Sequence, residues 1–301
     1  MYDVDNMSVR TADSIVGPAL AMAERFDPVE LYHLEGRAPV LIICDHAGRR
    51  IPRDLGTLGL PEHELNRHIG WDIGAADAAR RLARRLDAPA VLCHASRLVI
   101  DPNRDPGTPT SIPTISDGTF VPGNQDLDPD EEQRRLRQCF IPYHRAVARQ
   151  IARLRRRVGI PVIISMHSLT PVMKRNWRPW QIAVLSDDDR RLADPVLDGL
   201  SRDPTLCVGD NVPYSGNYPV GYSVPFHAVR PGFPHVSFEL RQDLIDTRER
   251  AESWADRLAE VLRDPLADTT LYERYGRQGH PADAVDAAVV DARSRRGVSA
   301  G

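Results

Sequence analysis

Short apolar runs rich in β-branched residues recur along this chain, near 40–44, 90–94, 161–166, 181–185 and 235–240, and stretches with helical spacing fall near 75–86, 130–158, 187–202 and 246–263. A strand that is apolar at every position has to be covered on both faces, and strands that alternate with helices are joined by crossovers. The pattern predicts an α/β fold of three layers, α/β/α, around a mostly parallel, mixed sheet. In open sheets of this kind ligands gather outside the carboxyl ends of the strands. The residues that end each run therefore carry the functional question.

Two of the runs lead into histidine. Val162-Ile163-Ile164-Ser165-Met166 is followed by His167-Ser168, and Val40-Leu41-Ile42-Ile43-Cys44 by Asp45-His46-Ala47-Gly48. One such histidine is most simply a hydrogen-bonded core residue; two at equivalent strand exits point to one shared site. Imidazole nitrogen suits zinc, and catalytic zinc sites take three protein ligands and leave the fourth position open. Three residues after His46, where a glutamate ligand is common, stands Arg49, a cation that cannot bind a metal. The third ligand comes from elsewhere: Asp72, Asp45, Asp101 or His68. Asp72 precedes the helical stretch 75–86 and serves equally well as a helix N-cap.

The run near 90–94 continues into Ser96-Arg97-Leu98-Val99-Ile100-Asp101-Pro102-Asn103-Arg104. Guanidinium groups match carboxylates and developing oxyanions through a planar fork of donors. Arg104 follows the turn made by Pro102 and Asn103, a place where sites are built; Arg97 can equally form a surface ion pair. In His235-Val236-Ser237-Phe238-Glu239-Leu240-Arg241 the apolar residues alternate with polar ones, so Glu239 points away from the face that holds Phe238. A carboxylate there can accept a proton from an activated water, or pair with Arg241 on the same face.

In this order and spacing, Asp45-His46-Ala47-Gly48, Trp71-Asp72, the block from Ser96 to Arg104, Pro142-Tyr143-His144, Met166-His167-Ser168 and Phe238-Glu239-Leu240 resemble the N-formylglutamate amidohydrolases, a family distantly similar to zinc carboxypeptidases and aspartoacylases. The resemblance implies a phosphorylase/hydrolase-like α/β fold and zinc as cofactor, held by His46 and His167, with Asp72 ahead of the other candidates as third ligand. It implies that Glu239 is the general base and acid, that Arg97 helps the metal stabilise the oxyanion, and that Asn103 and Arg104 bind a substrate carboxylate. His227, in a segment rich in Gly, Pro and Tyr, is either a further substrate contact or an exposed loop residue. The implied reaction is hydrolysis of an N-formyl (N-acyl) amino acid, N-formylglutamate to glutamate and formate. The alternatives are another acidic N-acyl compound, a metal-free phosphorylase-like hydrolase, or an inactive relative that binds an amino-acid-like ligand. Arg49 departs from the carboxypeptidase ligand pair, and the runs from Asp210 to Gly216 and from Gly221 to His227 read as features of a subgroup.

Bulk properties set the remaining expectations. A chain of 301 residues with 42% hydrophobic residues can bury one large core, so a single domain over 1–275 with a flexible tail over 276–301 is expected. A net charge of −3 gives no nucleic-acid footprint, and Arg153-Leu154-Arg155-Arg156-Arg157 reads as the solvated face of a helix. The four cysteines form no C-x-x-C pair, and the first residues show neither a basic n-region nor an apolar h-region. No apolar run reaches membrane-spanning length. A soluble, cytoplasmic enzyme with a small acidic substrate is the expectation; oligomeric state is not readable. The Pro-, Gly- and Thr-containing segment 105–130 reads as a loop set to cover the site.

Overall fold

The computed structural model describes residues 26–214 and 221–276. Seven strands form the central sheet: β1 (Val29–Tyr32), β2 (Val40–Cys44), β3 (Ala90–Cys93), β4 (Val162–Leu169), β5 (Ile182–Leu185), β6 (Val208–Asp210) and β7 (His235–Arg241). Their spatial order is β1-β3-β2-β4-β7-β5-β6. The adjacent strands β3, β2, β4 and β7 run parallel. β1 is antiparallel to β3, and β5 is antiparallel to β7 while pairing in parallel with β6. The sheet is thus parallel at its centre and mixed at its edges, the α/β architecture expected.

The pleat divides each central strand between two cores. Val40, Ile42 and Cys44 of β2 face one side with Val236, Phe238 and Leu240 of β7, while Leu41 and Ile43 face the other. The first side is covered by α1 (Ala75–Leu86) and a long C-terminal helix. Ala75, Ala78, Ala79, Leu82 and Ala83 form the buried stripe of α1, and small side chains let it lie close to the sheet. Leu82 is fully buried there, so Leu82→Ala should cost about 2–5 kcal/mol. The opposite side is covered by a helix that starts at α2 (Pro129–Arg135), passes through a π-helical turn at Leu136–Phe140, and continues as α3 (Ile141–Val158). Tyr143, Val147, Ile151 and Leu154 recur at helical spacing along its buried face.

Several boundaries differ from the sequence expectation for physical reasons. β4 runs on to Leu169, past its apolar stretch, because the polar residues at its end face a cleft rather than solvent, so His167 lies within the strand. The helix expected from 187 begins only with α4 (Ala193–Ser201). Ahead of it the Asp187 carboxylate accepts from the Asp189 amide and the Asp189 carboxylate from the Arg191 amide, local bonds that compete with helix. The helix expected near 246–263 is α5 (Arg248–Ala267), capped by the Thr247 hydroxyl, which accepts from the Arg250 amide. The segment after Arg104 contains a small hairpin that pairs Ile115 with Phe120. Asn124 pins it by donating to the carbonyls of Leu98 and Pro113. The expected tail lies outside the described residues apart from Gly276, and so do Ser215 and Gly216 of the subgroup run. Among the described residues no helix is long and apolar enough to cross a membrane.

Candidate active site

The carboxyl ends of β2, β4 and β7 and the segment after β3 converge on one cavity of about 160 Å³. His46 follows β2, His167 lies near the end of β4, and Glu239 stands in register with His167 on β7. Asp72 joins them from the connection ahead of α1. It is not the helix cap that its position allowed, since Gly74 occupies the N-cap with φ of 79°. A Cβ at Gly74 would stand 2.0 Å from the Ile245 carbonyl oxygen. Only glycine fits that turn, and the turn carries the Asp72 carboxylate inward.

His46, Asp72 and His167 each offer one ligand atom within 4.8 Å of the others, and all three are buried. Both Nδ1 atoms face Asp72 Oδ2, at 3.3 Å from His46 and 2.8 Å from His167. The Ser168 amide also donates to that oxygen at 3.2 Å. Each far ring nitrogen meets a further carboxylate, His46 Nε2 at 2.7 Å from Asp101 Oδ1 and His167 Nε2 at 3.2 Å from Asp45 Oδ2. Two imidazole nitrogens and a carboxylate oxygen are a donor set that suits a divalent ion such as zinc. Carboxylates behind the imidazoles are the arrangement that fixes ring tautomer and orientation in metal sites. The residues fit a metal ion.

The electrostatics agree. Burial and Arg97 pull His46 down, but Asp101 and Asp72 more than offset them and its pKa is raised. Against the downward pull of burial, Asp45 and Asp72 hold His167 well above the ordinary histidine value. Asp72 and Asp101 stay ionised despite burial, held low by His46 and His167 and by Arg97 and His46 respectively. The two carboxylates around each imidazole thus favour its charged form. Glu239 behaves oppositely: burial, helped by Asp72, pushes it up to about 7 against His167, His46 and Arg97. A carboxyl near neutrality can both take and return a proton.

The sequence candidates divide by what they touch. Arg97 lines the cavity but is committed to Asp101 through Nε at 3.2 Å and Nη2 at 2.8 Å, with Nη1 3.5 Å from Asp72 Oδ1. Asp45 and Asp101, weighed as ligands, sit behind the two histidines, and His68 pairs with Asp117 instead. Arg104 lines the cavity, and among the described residues no carboxylate lies within ion-pair distance of it. Asn103 also lines it, but its Oδ1 accepts from the Tyr222 and Ser223 amides at 2.7 and 3.1 Å. A Cβ at Gly221 would stand 2.6 Å from that Oδ1, so glycine is what lets the two segments close up. Glu239 forms no ion pair with Arg241, which binds Asp243 instead. His227 is not an exposed loop residue. It lies buried in the π-helical turn Pro225–Val229, outside the cavity lining, with its Nε2 3.0 Å from His144 Nδ1. The correction follows from burial: the aromatic rings of Tyr222 and Phe226 turn this segment inward.

Sequence reasoning missed the supports of Asp45. Tyr143 Oη and Ser223 Oγ both donate to its Oδ1, at 2.7 and 2.6 Å, from 98 and 178 residues away. No local pattern announces pairings at that separation. Beyond the cavity, a second recess of about 330 Å³ shares Asp72, Arg97, Arg104 and Tyr214 with it and is walled by Thr110, Pro113 and Asp117 of the loop after Arg104.

The family model for N-formylglutamate amidohydrolase matches residues 38–246. An N-formylglutamate deformylase of Pseudomonas aeruginosa is 27% identical over 144 residues, 44% of this chain and 53% of that protein. One from Pseudomonas putida is 32% identical over 154 residues, 48% of this chain and 56% of that protein. The chain thus spans about half the length of the curated relatives it matches. Among solved structures, a gene product of Agrobacterium tumefaciens is 35% identical with a TM-score of 0.77, covering 80% of this chain and 96% of that one. An N-formylglutamate amidohydrolase from Ralstonia eutropha shares the fold at 22% identity and a TM-score of 0.58, covering 79% of this chain and 97% of that one.

Proposed function

The chain belongs to the N-formylglutamate amidohydrolase family, and on that premise we propose that it hydrolyses N-formyl amino acids, N-formylglutamate foremost, to formate and the free amino acid. The observation that carries the reading is the convergence of His46, Asp72 and His167 with Glu239 on one cavity. His46, Asp72 and His167 would hold a zinc ion, which would supply Lewis acidity for the hydrolysis.

The chain's own groups do the rest. Glu239 accepts a proton from the water as its oxygen bonds to the formyl carbon. It then delivers that proton to the departing nitrogen as the C–N bond breaks, so that water is divided between formate and amine. Arg97, held in place by Asp101, keeps a cationic edge on the cavity where the oxyanion develops. The Arg104 guanidinium takes a substrate carboxylate, and Asn103 fixes the wall opposite by holding the Tyr222 and Ser223 amides. A larger acyl group is favoured by one feature, the second recess that shares Asp72, Arg97 and Arg104 with the cavity.

The test is formate release from N-formylglutamate by purified protein, with and without prior chelation, alongside N-acetylglutamate. Release that stops on chelation and returns with zinc is the expected result. Full turnover by exhaustively metal-free protein would remove zinc from the mechanism, and release of acetate but not formate would move the substrate to the larger acyl compounds.

A further inference from the structure

Behind the Arg104 turn lies a pair of buried imidazoles that the proposed reaction does not use. His144 on α3 and His227 are 8% and 5% exposed, and neither lines the cavity. His144 Nε2 is 2.9 Å from the Pro102 carbonyl oxygen, and His144 Nδ1 is 3.0 Å from His227 Nε2. The carbonyl can only accept, so His144 carries its proton on Nε2. In the neutral ring Nδ1 is then an acceptor, and His227 must donate to it through Nε2. Burial pushes His144 down to about 4, and burial with His144 beside it pushes His227 down to about 3, so both rings are neutral at working pH. The result is a one-directional relay from His227 through His144 to the Pro102 carbonyl.

The rings sit among aromatic neighbours, with Phe140 4.2 Å and Tyr222 4.9 Å from His144 by ring centroid and Phe226 4.9 Å from His227. Phenylalanine would fill such a box without burying polar nitrogens, so the hydrogen bonds are what the imidazoles add. What they hold is the turn that ends in Arg104. The Asp101 amide donates to the Ser111 carbonyl, the Asn103 amide to the Asp101 carboxylate, and the Arg104 amide to the Asp101 carbonyl. The bond from His144 adds a second tie to the Pro102–Asn103 peptide, at its carbonyl. Arg104 Nη1 donates to the Asn103 carbonyl at 2.9 Å, so the direction of the guanidinium is tied to the same turn.

We propose that His144 and His227 are positioning residues for substrate binding, which aim Arg104 into the cavity by holding the Pro102 carbonyl. The inference rests on the functional reading above and adds the residues that set affinity for the acidic substrate. Loss of the relay should tilt the turn, weaken the carboxylate contact, and leave the metal ligands and Glu239 in place.

The test is a double-mutant cycle between His144→Phe and Arg104→Ala in the zinc-loaded enzyme, reading KM and kcat for N-formylglutamate and its dissociation constant by calorimetry. His144→Phe should raise KM and the dissociation constant about tenfold with kcat nearly unchanged when Arg104 is present, and by about twofold or less when Arg104 is absent. A merely structural histidine would give the same factor in both backgrounds, and that result overturns the proposal. His227→Phe should show the same coupling more weakly, and His227→Gln, whose amide can still donate, should restore most of the affinity. These two variants decide the matter should His144→Phe fail to fold: coupling with rescue supports the relay, and equal loss in both backgrounds refutes it. Wild-type protein that neither binds nor hydrolyses N-formylglutamate overturns the functional reading and this inference with it, whereas active protein without coupling overturns this inference alone.

Discussion

Glu239 on β7 pairs in parallel register with His167 on β4. Neighbouring strands lie about 4.8 Å apart, and registered residues share a face of the sheet. The proposed proton carrier and a proposed metal ligand are therefore held side by side by sheet hydrogen bonds rather than by a loop, the kind of rigid support that a reacting pair requires. Glu239→Gln keeps size and shape while removing the proton acceptor. It should retain fold and zinc and lower kcat at least ~10²-fold, the usual contribution of a positioned acid–base group. Metal analysis and steady-state kinetics on the same preparation check this; a variant with near-normal kcat would dismiss Glu239 as the base.

The ligand set makes a separate prediction, because the three donors do not share their support equally. His46→Ala and His167→Ala should leave protein that purifies with little zinc. Asp72→Ala should lose more than a ligand, since Asp72 Oδ2 also accepts from the Ser168 amide. Asp101→Asn should bind zinc about 10–100-fold more weakly without touching the ion, because it removes the negative charge behind the far nitrogen of His46. Zinc affinity measured by competition with a chelating dye decides each case. Unchanged affinity in Asp101→Asn would mean that His46 is oriented by its strand exit alone.

Much of this was legible from local pattern. β2, β3 and β7 and the helix α1 follow from apolar runs and helical spacing, since a buried strand or stripe needs consecutive or periodic apolar residues. His46, Asp72, His167 and Glu239 could be singled out as ends or polar positions of those elements. The edge strands β1 and β6 were not legible, being short and partly exposed, with weak patterning. Nor was the reversed direction of β5, which depends on where the chain returns rather than on its own residues. The supports of the site were invisible for a stronger reason. Asp45 is held by Tyr143 and Ser223 and Pro102 by His144, contacts between residues that share no element. The Gly-, Pro- and Tyr-rich composition around His227 reads equally as exposed loop, whereas the residue is buried with Phe226 and His144 against it.

Arg104 and Arg97 should separate cleanly on substitution. Arg104 has no carboxylate within ion-pair distance among the described residues, whereas Arg97 is tied to Asp101. Arg104→Lys keeps the charge but loses the planar fork, so KM for N-formylglutamate should rise about tenfold with kcat nearly unchanged. Arg97→Lys should instead lower kcat and weaken zinc binding together, because Asp101, and through it His46, loses its anchor. Kinetics and metal affinity measured on both variants test the division; a KM effect confined to Arg97→Lys would exchange the two roles.

The buried imidazole pair gives the protein a pH signature of definite sign. Both rings are held below the ordinary value of 6.5, His144 at about 4 and His227 at about 3. In the unfolded chain they take up protons near 6.5, so as pH falls through that value the unfolded state binds protons that the folded state refuses. Their contribution to stability is fully present above about 6.5 and drains away down to about 4 for His144 and about 3 for His227. His46 and His167, raised in the metal-free protein, work in the opposite direction, so the effect has to be read as a difference. Between pH 7 and pH 4.5 the wild type should lose about 5 kcal/mol more stability than the double variant His144→Phe/His227→Phe. Urea unfolding of both metal-free proteins across that range provides the comparison. Parallel stability curves would show that the two rings titrate alike in the folded and unfolded states, contrary to their burial.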